Sequence, residues 1–89
     1  MLIRSQDKRI LINMNNVSSI EAGDNELRIF ADDGETIYDL GSYSTKAKAM
    51  KVLDMIQEAY ERYEYEKVFK TGLTLFETFQ MPEDGSVEV

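Results

Sequence analysis

Apolar and polar residues alternate in short runs through the first 43 residues, with turn-forming residues between the runs, as in a β-meander. Leu2–Ser5 reads as a first short strand, closed by the polar Gln6-Asp7-Lys8. Arg9–Met14 follows, with Ile10, Ile12 and Met14 on one face and Leu11 and Asn13 on the other. Asn15-Asn16 marks a corner, since both residues tolerate left-handed backbone. Val17–Glu21 is a weaker third strand, ended by Ala22-Gly23-Asp24-Asn25. In Glu26–Ala31, Leu27, Ile29 and Ala31 oppose Arg28 and Phe30. Asp32-Asp33-Gly34-Glu35 reads as a hairpin, because Gly34 takes positive φ without penalty, and Thr36–Leu40 returns as a fifth strand. Several strands carry apolar residues on both faces, which predicts a curled or sandwiched sheet rather than a one-sided one.

After Gly41-Ser42-Tyr43 the hydrophobic period lengthens from 2 to about 3.6. Ala49, Val52, Leu53, Ile56, Tyr60 and Tyr63 form one stripe that Ala59 widens, and neither glycine nor proline interrupts residues 45–70. This predicts a helix over about 45–66, capped by Ser44 or Thr45 and ended by Thr71-Gly72. Residues 73–81 read as a sixth strand, stopped by Pro82, which cannot donate to a ladder. The expected fold class is α+β: an antiparallel β-meander sheet of about five strands, one long helix and a C-terminal strand. Residues 1–82 form a single domain, and residues 83–89 form a frayed acidic tail.

The composition narrows the chemistry. Among 89 residues there is neither cysteine nor histidine, the side chains that supply most neutral-pH nucleophiles, proton shuttles and transition-metal ligands. The glycines are scattered, so neither a Walker loop nor a dinucleotide fingerprint is present. A non-catalytic protein without metal or cofactor is the expectation. Ten basic and seventeen acidic residues leave a net charge of −7, which disfavours binding to nucleic acid through phosphates. No apolar run approaches a membrane span, and Met1-Leu2-Ile3-Arg4 leads at once into polar residues, unlike a signal peptide. These features predict a cytoplasmic protein with no membrane partner. A thin core without staples predicts a homo-oligomer, dimer or higher.

Charge along the helix runs against its macrodipole: Lys46, Lys48 and Lys51 stand early, while Glu58, Glu61, Glu64 and Glu66 stand late. Lysines beside free amides can form an anion-binding corner, or they can be solvated charges, paired in part as Glu58–Arg62 and Lys51–Asp54. Arg4, Arg9 and Arg28 are the arginines on or beside strands, suited to gripping a phosphate bidentately. Tyr60 and Tyr63 continue the stripe and should pack, whereas Tyr65 points away and is available to stack on a base. Asp32, Asp33 and Glu35 lack the ligand spacing of a calcium loop and read as a plain turn. Ser44 near Lys48 reads as a helix cap rather than a catalytic dyad.

Ile3-Arg4-Ser5-Gln6-Asp7, Leu40-Gly41-Ser42-Tyr43-Ser44-Thr45, Ala49 with Val52-Leu53-Asp54 and Ile56, and Phe79-Gln80-Met81-Pro82-Glu83-Asp84 resemble segments of short phage and prophage proteins of low-GC Gram-positive bacteria. The likeness covers most of the chain apart from 17–38 and 66–76, and its motifs look structural rather than catalytic. Some small phage proteins of similar build are sponges that sequester the cyclic nucleotide or cyclic ADP-ribose signals of bacterial immunity. The resemblance thus implies a phage anti-defence protein that binds a small anionic nucleotide. Chemistry assigns its ligand-binding residues as Arg4, Arg9, Arg28, Lys46, Lys48, Lys51 and Tyr65. The alternative is an acidic protein-interaction module that blocks or bridges a host or phage protein. Mimicry of DNA calls for a denser negative surface than this chain has.

Overall fold

The structure, a computed structural model, describes residues 1–69 and 77–89. Five short strands, β1 (Leu2–Arg4), β2 (Leu11–Asn13), β3 (Ser19–Gly23), β4 (Arg28–Asp32) and β5 (Ile37–Ser42), precede one long helix, α1 (Lys46–Phe69). A last strand, β6 (Thr78–Gln80), follows. The α+β class is therefore observed, and the helix extends to Phe69. The expected helix end at Thr71-Gly72 and the first part of the expected 73–81 strand lie outside the described residues.

The five early strands divide between two sheets. One has the order β2-β1-β6, with β1 antiparallel to β2 and parallel to β6; the other is the antiparallel meander β3-β4-β5. The division starts at Asn13, whose side-chain carbonyl accepts from the Asn15 amide at 2.9 Å and opens a 3-10 turn over Met14–Asn16. That turn carries the chain out of the first sheet and delays the third strand to residue 19, two positions later than the alternation suggests. Left-handed backbone appears elsewhere than Asn15-Asn16: at Lys8, and at Asp24, Asn25 and Glu26, with φ of 54°, 62° and 66° for the last three.

Alternation does identify the buried faces. Ile12, Ile29 and Ala31 are buried while Leu11 and Asn13 face solvent. From the helix, Ala49, Val52, Ile56 and Ala59 enter the same core, with Leu53, Tyr60 and Tyr63 packed at its margin. The helix lies against β3 and β4. Its start is capped by Thr45, whose Oγ1 accepts from the Lys48 amide at 3.1 Å.

A polar knot ties the two sheets together. The pairing of β4 with β5 slips by one residue between Ile29 and Phe30, leaving Leu40 unmatched. The Leu40 carbonyl accepts instead from the Gln6 amide at 2.7 Å. The Gln6 side chain accepts from the Ser42 amide at 3.1 Å and donates to the carbonyls of Ser42 and Pro82 at 3.1 and 3.2 Å. Gly41 permits this approach, since a Cβ there would sit 3.0 Å from that of Gln6. The buried Tyr43 donates its hydroxyl to Pro82 O at 2.9 Å, and Gln80 Nε2 donates to Ser5 O at 2.9 Å. Burial raises the Tyr43 phenol far above its ordinary range, with the nearby Glu83 and Asp84 carboxylates adding to the effect.

The last residues are docked rather than frayed. Asp84–Ser86 forms a 3-10 turn and Val87 is buried in the core. The Asp84 carboxylate accepts from the Ser44 amide at 2.7 Å, and Lys48 Nζ donates to the Asp84 carbonyl at 3.0 Å. A buried apolar anchor and a carboxylate at the start of α1 together outweigh the fraying expected of an acidic terminus.

Candidate interaction groove

The cations chosen from the sequence do not form one unpaired cluster. Arg28 lies between two carboxylates, 2.6 Å from Asp39 and 3.4 Å from Asp24. Lys46 is 3.8 Å from Glu26, while Lys48 turns to Asp84. Lys51 is exposed and forms no ion pair among the described residues, so the expected Lys51–Asp54 pair is absent there. Arg62 pairs with Glu77 at 3.1 Å rather than with Glu58. Arg4 is exposed and its Nε donates to the Lys8 carbonyl at 3.1 Å; Arg9 is exposed on the same β1–β2 hairpin. Tyr65, 64% exposed, sits far along α1. The chain's own Asp84 fills the corner at the start of α1 that was expected to receive a phosphate.

The acidic turn is similarly self-satisfied. Asp32 Oδ1 accepts from the Gly34 amide at 2.7 Å, and Asp33 Oδ1 accepts from the amides of Glu35 and Thr36 at 2.9 and 2.7 Å. These bonds, chiefly that from Thr36, hold the Asp33 carboxyl below its ordinary pKa. The hairpin reading of this turn is observed.

Sequence reasoning missed a groove between α1 and the start of the second sheet. The 3-10 turn brings Met14 and Val17 to one wall, β3 contributes Ile20, and α1 contributes Leu53, Ile56 and Gln57. Ser18 and Ser19 complete the lining of a depression of about 360 Å³. None of these side chains titrates in the ordinary pH range, which suits the groove to binding rather than proton transfer. Met14, Val17 and Ile20 lie half-buried at the margin of the core, and in the sequence nothing distinguishes them from ordinary strand residues. A second depression of about 330 Å³ lies further along the helix, lined by Tyr63 with Met1, Leu2 and Asn15 among others.

Carboxylates flank the groove. Glu61 follows Gln57 by one turn and its Oε1 accepts from Gln57 Nε2 at 3.0 Å. Asp54 precedes Gln57 by three residues on the same exposed side. Glu21 is exposed and, alternating with Ile20 in β3, stands on the opposite face of the sheet from the groove. On this side of α1 the early Lys46 is held by Glu26. Among the described residues, no helix is long and apolar enough to cross a membrane. Comparison with protein families, with curated proteins and with solved structures finds no match to this chain.

Proposed function

We propose that this chain is a non-catalytic interaction module that docks a protein partner in the groove between α1 and β3. One observation carries the reading: the apolar recess of about 360 Å³ between α1 and β3 is open and uncharged, while Arg28, Lys46 and Lys48 are each occupied by an internal carboxylate. Phosphate recognition needs donors whose charge is not already spent. Recognition of a protein needs an apolar centre with a polar rim, which this groove and its carboxylates supply. The resemblance to phage proteins directs the search to a host or phage protein as the partner.

The test compares two variants. Leu53→Glu places a charge in the groove, and capture of a partner by the purified chain should be lost while the folded spectrum is kept. Lys46→Glu with Lys48→Glu should leave capture unchanged. A cyclic nucleotide or ADP-ribose derivative that raises the melting temperature of the wild type, but not of the double lysine variant, would overturn this reading for nucleotide sequestration, because a ligand bound only by the native state stabilises it.

A further inference from the structure

We infer that the segment docked in this groove is an extended, basic peptide that adds as a fourth strand along β3; the inference rests on the docking reading above. Strand β3 is an outer strand, paired to β4 alone, and among the described residues no backbone bond reaches Ser19–Gly23 from its other side. Alternate amides and carbonyls of an outer strand point away from the sheet and can pair with an added strand. Natural outer strands are usually protected by proline, lysine, a bulge or a covering element. Ser19-Ile20-Glu21-Ala22-Gly23 has no proline, lysine or bulge; its one charge, the exposed Glu21, disfavours an acidic added strand and favours a basic one.

The groove supplies side-chain recognition for the same segment. Side chains of an added strand alternate between two faces. On one face they meet the apolar wall of Val17, Ile20, Leu53 and Ile56. Basic residues on the other face meet Glu21, which alternates with Ile20 along β3, while a basic residue at the margin of the groove face meets Asp54 and Glu61 on α1. At this edge charge favours a basic peptide over a second copy, whose β3 would bring another Glu21 to an already acidic margin, whatever other surface the chain uses to self-associate. Main-chain bonds then provide affinity, and apolar and basic side chains provide selectivity.

The experiment selects random peptides from a display library on the full chain, then titrates the enriched peptides into isotope-labelled protein. The expected peptides alternate apolar residues with lysine or arginine and perturb the amides of Ser19–Gly23. N-methylation of every second peptide amide should abolish binding in one frame and spare it in the other. Asp54→Lys with Glu61→Lys should weaken binding about tenfold at about 0.1 M salt, with the difference lost at about 1 M as the Debye length falls to about 3 Å. Peptides that bind the groove but are acidic, helical or indifferent to N-methylation overturn this inference and leave the docking reading standing. Failure to enrich any groove-binding peptide overturns both. Concentration-dependent broadening of the Ser19–Gly23 amides without peptide overturns the inference in favour of a second copy.

Discussion

Replacing Gln6 tests whether the two sheets are held by its amide. The side chain makes three hydrogen bonds to Ser42 and Pro82, and one partner, Ser42, is exposed. A net contribution near 1 kcal/mol per bond, reduced where water can replace Gln6, gives a cost of about 2 kcal/mol for Gln6→Ala. For a domain of this size that is a fall in Tm of about 8–16 °C. Gln6→Glu is the sharper variant. It keeps the acceptor for the Ser42 amide but turns a carboxylate toward two carbonyl oxygens, losing both donated bonds and adding repulsion. At neutral pH it should be less stable than Gln6→Ala by about 1 kcal/mol, although it preserves more volume. The introduced carboxyl would have a folded pKa above its unfolded value of about 4.3, so its stabilising protonated form is lost as pH rises. The deficit relative to Gln6→Ala should therefore shrink as pH falls through the raised folded pKa, and its recovery should be complete by about pH 4. Urea unfolding of the three proteins at both pH values measures this. Equal stability of the two variants at neutral pH, or a Gln6→Ala cost under about 0.5 kcal/mol, would refute the knot.

Other outcomes follow from the same geometry. Val87→Asp puts an unpaired charge into the core and should destabilise by about 3 kcal/mol or more in urea titrations; an unchanged midpoint would mean that the terminus is not docked. Glu26→Gly relieves a left-handed residue of its Cβ and should raise stability by about 1 kcal/mol, because the exposed pair to Lys46 is worth less than the strain. Asp7, Asp33 and Asp84 have carboxyls lowered from 3.8, chiefly by Ser5, the Thr36 amide and the Ser44 amide respectively. Their contribution is present above that pH and lost below it, so the urea midpoint should fall as pH drops toward about 3, and less steeply in Asp33→Asn. Light scattering at micromolar concentration is expected to show a homo-oligomer, since Leu11, Ile37 and Val68 are 56, 64 and 63% exposed. A species of one chain's mass would refute that.

The parts of the fold legible in the sequence are those set by local pattern. Alternation in Glu26–Ala31 identifies Ile29 and Ala31 as fully buried, and the 3.6-residue stripe picks out Val52 and Ile56. Thr45 caps the helix as its type predicts. Partner choice between strands was not legible. β1 pairs with β6 from more than 70 residues away, and no hydrophobic period encodes that pairing. The side chain of Asn13 decides where the first sheet ends, yet asparagine fits a corner in several geometries. The candidate cations were legible as charges but not as pairs. Asp84 looked like part of a solvated tail until Val87 buried beside it and brought its carboxylate to Ser44 and Lys48.

Three segments far apart in the chain, residues 3–7, 40–45 and 79–84, meet at the knot. Gln6 belongs to the first, Leu40, Ser42 and Tyr43 to the second, and Gln80, Pro82 and Asp84 to the third. Their polar side chains are spent on backbone groups of one another, so the motifs describe how the two sheets and the helix are locked together. The groove draws differently on the chain. Val17, Ser18, Ser19 and Ile20 come from the entry into the second sheet, away from the knot, and they face Leu53 and Ile56 on the helix. Under the proposed docking function, the knot fixes the position of α1 while residues 17–23 set what the groove and the open edge of β3 accept. Exchanging Ile20 for Val should then alter which peptides are selected and leave the unfolding free energy within about 1 kcal/mol, because Ile20 is only half-buried. A fall in unfolding free energy well beyond about 1 kcal/mol without any change in the selected peptides would place Ile20 in the core's support rather than in recognition.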